Sequence, residues 1–138
     1  KVINPDFISN IMLNEAIQLE IDRFNRLNYI KSSLIVEGQY FDVDSKAEII
    51  IFRILQEFFS NTIKHSKAST LKVKMEYSEN KLIITAEDNG QGFDTLNVSA
   101  NGIGLNNMKK RASLINAEVS IESVLNKGTK LTIIQNKI

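Results

Sequence analysis

Four polar residues, Glu57, Asn61, Lys64 and His65, sit in a stretch otherwise rich in Ile, Leu and Phe, "ILQEFFSNTIKHSKAS" over 54–69. At about 100° per residue, a helix brings Glu57, Asn61 and His65 onto one stripe as successive i, i+4 neighbours, with Lys64 beside them. A helix packed only into a core has no need of four polar groups at these offsets. The Asn61 side-chain oxygen suits Mg²⁺, which prefers oxygen ligands and usually takes only one or two from protein. Glu57, one turn earlier, can orient a metal-bound water or polarise an incoming nucleophile. Lys64 and His65 can approach phosphate or nucleotide. They read equally well as a solvated helix end and as a histidine against the free carbonyls of a helix C-terminus.

Two glycine-containing segments could complete such a site. The run "LIITAE" leads into Asp88 and then Asn89-Gly90-Gln91-Gly92. The two glycines let backbone lie close to a ligand. A carboxylate at a strand end accepts a hydrogen bond from an exocyclic amine; adenine carries one at C6, where guanine has a carbonyl that would face the carboxylate as acceptor against acceptor, so one buried Asp can select adenine. The same residues also read as a surface Asp-Asn-Gly turn. The second segment, "NGIGLNNM", places Gly102 and Gly104 where a helix begins, and free N–H groups there can bind phosphate. A GxG pair also occurs wherever a loop tightens before a helix. It is neither a Rossmann fingerprint nor a Walker A loop.

The elements that must position these groups follow from periodicity. In "IMLNEAIQLEIDRFNRLN", Ile11, Met12, Ala16, Leu19, Phe24 and Leu27 approximate the inward stripe of a first helix. "SSLIVEGQYFDV" reads as a short strand and a turn around Gly38. A long helix is expected from about Lys46 to Ser66, capped by Asp44 or Ser45, with Glu48 closing a capping box on Ser45. "TLKVKMEYS" and "KLIITAED" form a hairpin of half-buried strands. "IGLNNMKKRASLIN" is a helix with Ile103, Met108, Leu114 and Ile115 inward, and "EVSIES" and "TKLTIIQ" close a last hairpin around "LNKG". Helices and strands do not alternate regularly, so an α+β layered sandwich is expected rather than a doubly wound sheet.

Composition narrows the classes. The chain has 138 residues, enough for one domain over 1–138, and a net charge of +1, so it carries no nucleic-acid footprint. With no cysteine and one histidine, a disulfide framework, thiol chemistry and a His/Cys zinc site are excluded. No apolar run approaches the roughly 20 residues of a membrane span. The chain starts at Lys1 rather than Met, and is expected to be a fragment of something longer.

Taken in order, these segments resemble the ATP-binding catalytic domain of sensor histidine kinases. Gyrase, a heat-shock chaperone and mismatch-repair ATPases share the wider superfamily. "RILQEFFSNTIKHSKAS" is similar to the N box, "EDNGQGFD" to the G1 box, "NGIGLNNMKKRA" to the G2 box and "NKGTKLTI" to the last box. The nitrate-sensor and lipid-fluidity-sensor class fits best, with its "LQE…N…KH" N box and short lid. The resemblance spans at least Lys46 to Ile134. It implies a two-layer sandwich of the Bergerat ATP-binding type, with a mixed, mostly antiparallel sheet covered by helices on one face.

It also implies roles. Asp88 binds the adenine amine, Gly90 and Gly92 shape the pocket, and Thr129 supports the contact. Asn61 holds Mg²⁺, Lys64 and His65 approach the nucleotide, and Gly102, Gly104 and Leu105 form the phosphate-side lid and hinge. Glu57 is the acidic N-box residue and one candidate base, an acid beside the acceptor histidine being the other. The lid, about Phe93 to Asn101, is short and polar, and is expected to be mobile without nucleotide. The implied partners are a dimerisation domain carrying the acceptor histidine, which this chain lacks, and a response regulator. Nucleic acid and direct membrane contact are not implied. The domain is expected in the cytoplasm, whether or not a parent protein is membrane-anchored. Asn116-Ala117 departs from a Gly-Gly frequent in relatives and stiffens the turn there. Two alternatives keep the fold: a serine kinase of the anti-sigma-factor type, and a nucleotide-gated interaction module without transfer.

Overall fold

The computed structural model describes residues 11–92 and 104–137. The expected lid and Gly102 fall outside the described residues. The elements are α1 (Leu13–Arg26), β1 (Lys31–Gly38), α2 (Ser45–His65), β2 (Thr70–Tyr77), β3 (Lys81–Asp88), α3 (Leu105–Ser113), β4 (Ala117–Val124) and β5 (Gly128–Asn136). The five strands form one sheet in the order β1-β2-β3-β5-β4. β1 and β2 are parallel, and the other neighbours are antiparallel.

Alternation along the strands explains the layering. Leu71, Val73, Met75 and Tyr77 of β2, Leu82, Ile84 and Ala86 of β3, and Leu131 and Ile133 of β5 are buried, while Lys72, Lys74 and Glu76 point to the solvated face. The helices cover the apolar face. α2 contributes the greatest share of the core, through Ile50, Ile51, Phe52, Ile54, Leu55, Phe58 and Phe59. This is the α+β sandwich expected from the order of elements.

α1 and α2 run side by side in the same direction. The Leu13 N–H donates to a Glu48 carboxylate oxygen at 3.2 Å, Gln56 Nε2 donates to Glu20 Oε1 at 3.5 Å, and Phe24 meets Phe59 edge to face with centroids 5.7 Å apart. The α1 stripe differs from the expected one. Leu13, Ala16, Ile17, Glu20, Ile21 and Phe24 are buried, whereas Met12, Leu19 and Leu27 are exposed. A four-residue step from Leu13 through Ile17 to Ile21 defines the face that meets α2. Buried Glu20 is matched by Arg23, 2.9 Å away.

Two terminal details also differ. Glu48 does not close a capping box on Ser45. The N-cap is Asp44, without a side-chain cap bond, and the Glu48 carboxylate instead satisfies an orphan N–H at the start of α1. Burial raises the Glu48 pKa above its ordinary value, and the Leu13 hydrogen bond opposes that rise. α3 stops at Ser113, which leaves Leu114 68% exposed rather than inward. Asn116 follows at φ 55°, the left-handed conformation for which glycine is best suited and which asparagine tolerates.

Candidate nucleotide site

The C-terminal half of α2, the end of β3 and the start of β5 meet around Asp88. The register places Asp88 opposite Leu71 of β2 and opposite Thr129 of β5. Its carboxylate is only 4% exposed, so its oxygens need partners within the protein. Oδ1 accepts from the Gly90 N–H at 2.9 Å and the Thr129 N–H at 3.3 Å. Oδ2 accepts from the Thr62 hydroxyl at 2.9 Å. Thr129 Oγ1 lies 2.9 Å from Ser123 Oγ. Ser123 Oγ also lies within hydrogen-bond distance, 3.1 Å, of the Gly128 carbonyl.

The turn after Asp88 is fixed to the helix beside it. The Gln91 N–H donates to the Ser66 carbonyl at 2.7 Å, and Gln91 Nε2 donates to the His65 carbonyl at 2.8 Å. These bonds satisfy carbonyls left orphaned at the end of α2. Gln91 O accepts from the Asn126 N–H at 2.6 Å, which joins the turn to the β4–β5 hairpin. Asn89 Oδ1 accepts from both the Ser69 and Thr70 N–H groups at 2.9 Å. Gly90 packs so closely on Ser66 that a Cβ there would overlap its backbone oxygen. The Asp-Asn-Gly segment is thus a built junction rather than a solvated surface turn.

A cavity of about 160 Å³ opens here, lined by Phe58, Asn61, Thr62, His65, Asp88 and Thr129 among others. That is below the ~300–1,000 Å³ typical of pockets that bury a drug-sized ligand.

Of the residues singled out from sequence, Asn61, His65, Asp88, Gly92 and Thr129 line this cavity, and Gly90 is bonded to Asp88. Lys64 is exposed at the helix end and does not line it. Glu57 lies one turn before Asn61, and its Oε2 accepts from Arg111 Nη1 of α3 at 3.0 Å. Gly104, the N-cap of α3, holds φ +75°, and a Cβ on it would overlap Glu57 Oε1. Leu105 is the first residue of α3 and packs against the core. Thr62, Gln91, Ser123 and Arg111 were not anticipated. Thr62 had a signal, a hydroxyl at a position that the α2 periodicity buries.

The chain belongs to the family of histidine kinase-, DNA gyrase B- and HSP90-like ATPases, whose model matches residues 46–137. Membership carries nucleotide binding with it. Its relatives include the sensor histidine kinase LiaS of Bacillus subtilis, 35% identical over 133 residues, which make up 95% of this chain and 36% of that protein. DegS of Brevibacillus brevis, a signal transduction histidine-protein kinase/phosphatase, is 38% identical over 86 residues, 62% of this chain and 22% of that one. The chain thus spans well under half the length of these relatives. In fold it is similar to a blue-light activated histidine kinase of Erythrobacter litoralis, with TM-score 0.73 and 20% identity over 93% of this chain and 42% of that one. It is also similar to the catalytic domain of histidine kinase ThkA, with TM-score 0.68 and 15% identity over 95% of this chain and 93% of that one. Among the described residues, no helix is long and apolar enough to cross a membrane.

Proposed function

We propose that residues 1–138 form one catalytic unit that binds Mg-ATP and presents its γ-phosphate to a histidine on a separate dimerisation domain, from which a response regulator is then phosphorylated. The observation that carries this reading is the buried Asp88 carboxylate at the wall of a cavity. Its oxygens are acceptors held by three donors, so a purine amine is attracted and a purine carbonyl is repelled. Thr129, Gly90 and Gly92 shape that end of the pocket.

The donor set fits a magnesium ion of the nucleotide-bound kind. Among the described residues no group of three or more His, Cys, Asp or Glu could hold a metal. Mg²⁺ bound chiefly by phosphate and water requires only one or two protein oxygens. Asn61 would supply one, and the ion would contribute charge neutralisation at the phosphates. Glu57 would orient or deprotonate the attacking nucleophile. Lys64, His65, Gly102, Gly104 and Leu105 would meet the nucleotide on its phosphate side. Positioning and charge neutralisation then carry most of the catalysis. The domain is proposed to lie in the cytoplasm. The relatives named above are histidine kinases, which weighs against a serine acceptor and against a module that binds without transfer.

Calorimetric titration with ATP and GTP, each with Mg²⁺, tests the reading. ATP should bind and GTP should not, and Asp88→Asn should cost about 1–3 kcal/mol of ATP affinity. A folded chain that binds no ATP would overturn the proposal.

A further inference from the structure

The carboxylate of Glu57 is flanked on both oxygens by one short segment of chain. Oε2 takes the Arg111 guanidinium at 3.0 Å, and Oε1 lies against Gly104, whose φ of +75° favours glycine and where a Cβ would displace the carboxylate. Both flanking residues belong to α3 and its cap, whereas Glu57 is on α2. α3 is docked by Met108 and Ala112, both buried, one on each side of Arg111 along the chain. The ion pair itself is half-solvated, with side-chain exposures of 39% for Arg111 and 28% for Glu57. Pairs this open contribute little to stability.

What such a pair does supply is direction. The terminal torsion of a glutamate is broad, so an unpartnered carboxylate has no fixed aim. With Oε1 beside Gly104 and Oε2 on Arg111, the Glu57 carboxylate is held between two parts of one segment, one turn from Asn61 at the cavity.

We propose that Arg111 is the positioning residue for Glu57, fixing its carboxylate toward the nucleophile only while α3 is docked on α2. The proposal rests on the kinase reading above. It separates Arg111 from a phosphate ligand, which would act on nucleotide affinity.

The test measures Mg-ATP affinity by calorimetry and phosphoryl transfer to a separately supplied histidine-bearing helical hairpin. The variants are Arg111→Met, Arg111→Lys, Glu57→Gln and the Arg111→Met/Glu57→Gln double variant, each checked for an unchanged melting curve. Arg111→Met should slow transfer by about 10- to 100-fold, the range for losing a partner that orients a functional group, with the ATP dissociation constant unchanged. Arg111→Lys should recover part of the rate. The double variant should be no slower than Glu57→Gln alone, because the two residues act as a unit. Losses that multiply in the double variant, or a loss that appears in ATP affinity, would overturn the assignment of Arg111. So would full activity in Arg111→Met beside an inactive Glu57→Gln. Absence of ATP binding in the unsubstituted chain would instead overturn the proposed function.

Discussion

α2 has two polar edges that look alike in composition and are used differently. On the edge toward α1, Glu48 accepts a backbone N–H, Gln56 reaches Glu20, and Phe59 lies edge to face on Phe24. On the other edge, Glu57 is held by a side chain from α3, Asn61 lines the cavity, and Thr62 donates to Asp88. The first set is matched to groups of the neighbouring helix. The second set faces a cavity and partners drawn from α3 and from the end of β3. A carboxylate used as a cap and one paired to a guanidinium near the cavity can therefore sit nine residues apart on one helix, distinguished only by what faces them.

If that division is sound, substitutions on the two edges should separate stability from binding. The largest effect is expected from Phe24→Ala. Loss of a buried ring costs about 3–5 kcal/mol, so urea or thermal unfolding should shift strongly. ATP affinity of the fraction still folded should be unchanged, and a parallel loss of affinity would break the comparison. Thr62→Val, nearly the same shape, removes a hydroxyl donor from the Asp88 carboxylate. Hydrogen bonds to charged groups contribute about 1.5–3 kcal/mol. Here the loss should appear in ATP affinity by calorimetry as well as in stability.

The smallest effect is expected from Glu48→Gln, which keeps an oxygen for the Leu13 N–H. Burial raises the Glu48 pKa, so the folded chain holds this proton more tightly than the unfolded chain does. The stability linked to it is full below the ordinary carboxylate value of 4.5 and is lost as pH rises through the raised folded value. Glu48→Gln removes that loss, so its stability should gain on the parent's as pH rises from about 4 toward neutrality. Denaturant titrations at several pH values would read the difference, and parallel curves would refute it.

Much of this arrangement was legible in the sequence because it rests on period and order. The strand alternations from Leu71 and from Leu82, the long second helix and the two hairpins came from spacing alone. The stripe of α1 differs from the expected one because about every second residue from Ile11 to Leu27 is apolar, so several faces look alike until α2 and the sheet select one. The Glu48 capping box failed for a related reason, since a more demanding partner lay 35 residues away on another helix. In the site, Asp88 and Asn61 stood out as polar groups in apolar or glycine-rich settings. Gln91, Ser123 and Arg111 did not, because their roles depend on contacts that only the folded chain brings together.

One consequence concerns the order in which the molecule can assemble. Among the described residues β1 and β2 form the one parallel pair, and they are joined through α2. A parallel pair cannot close by a tight turn and needs a crossover. The β2–β3 and β4–β5 hairpins are local and can form early, whereas β1 must wait for the 21-residue helix to be laid down between it and β2. The helix that carries Glu57, Asn61 and Thr62 is itself that crossover. Losing that helix would therefore cost the sheet its edge strand and the cavity one of its walls together.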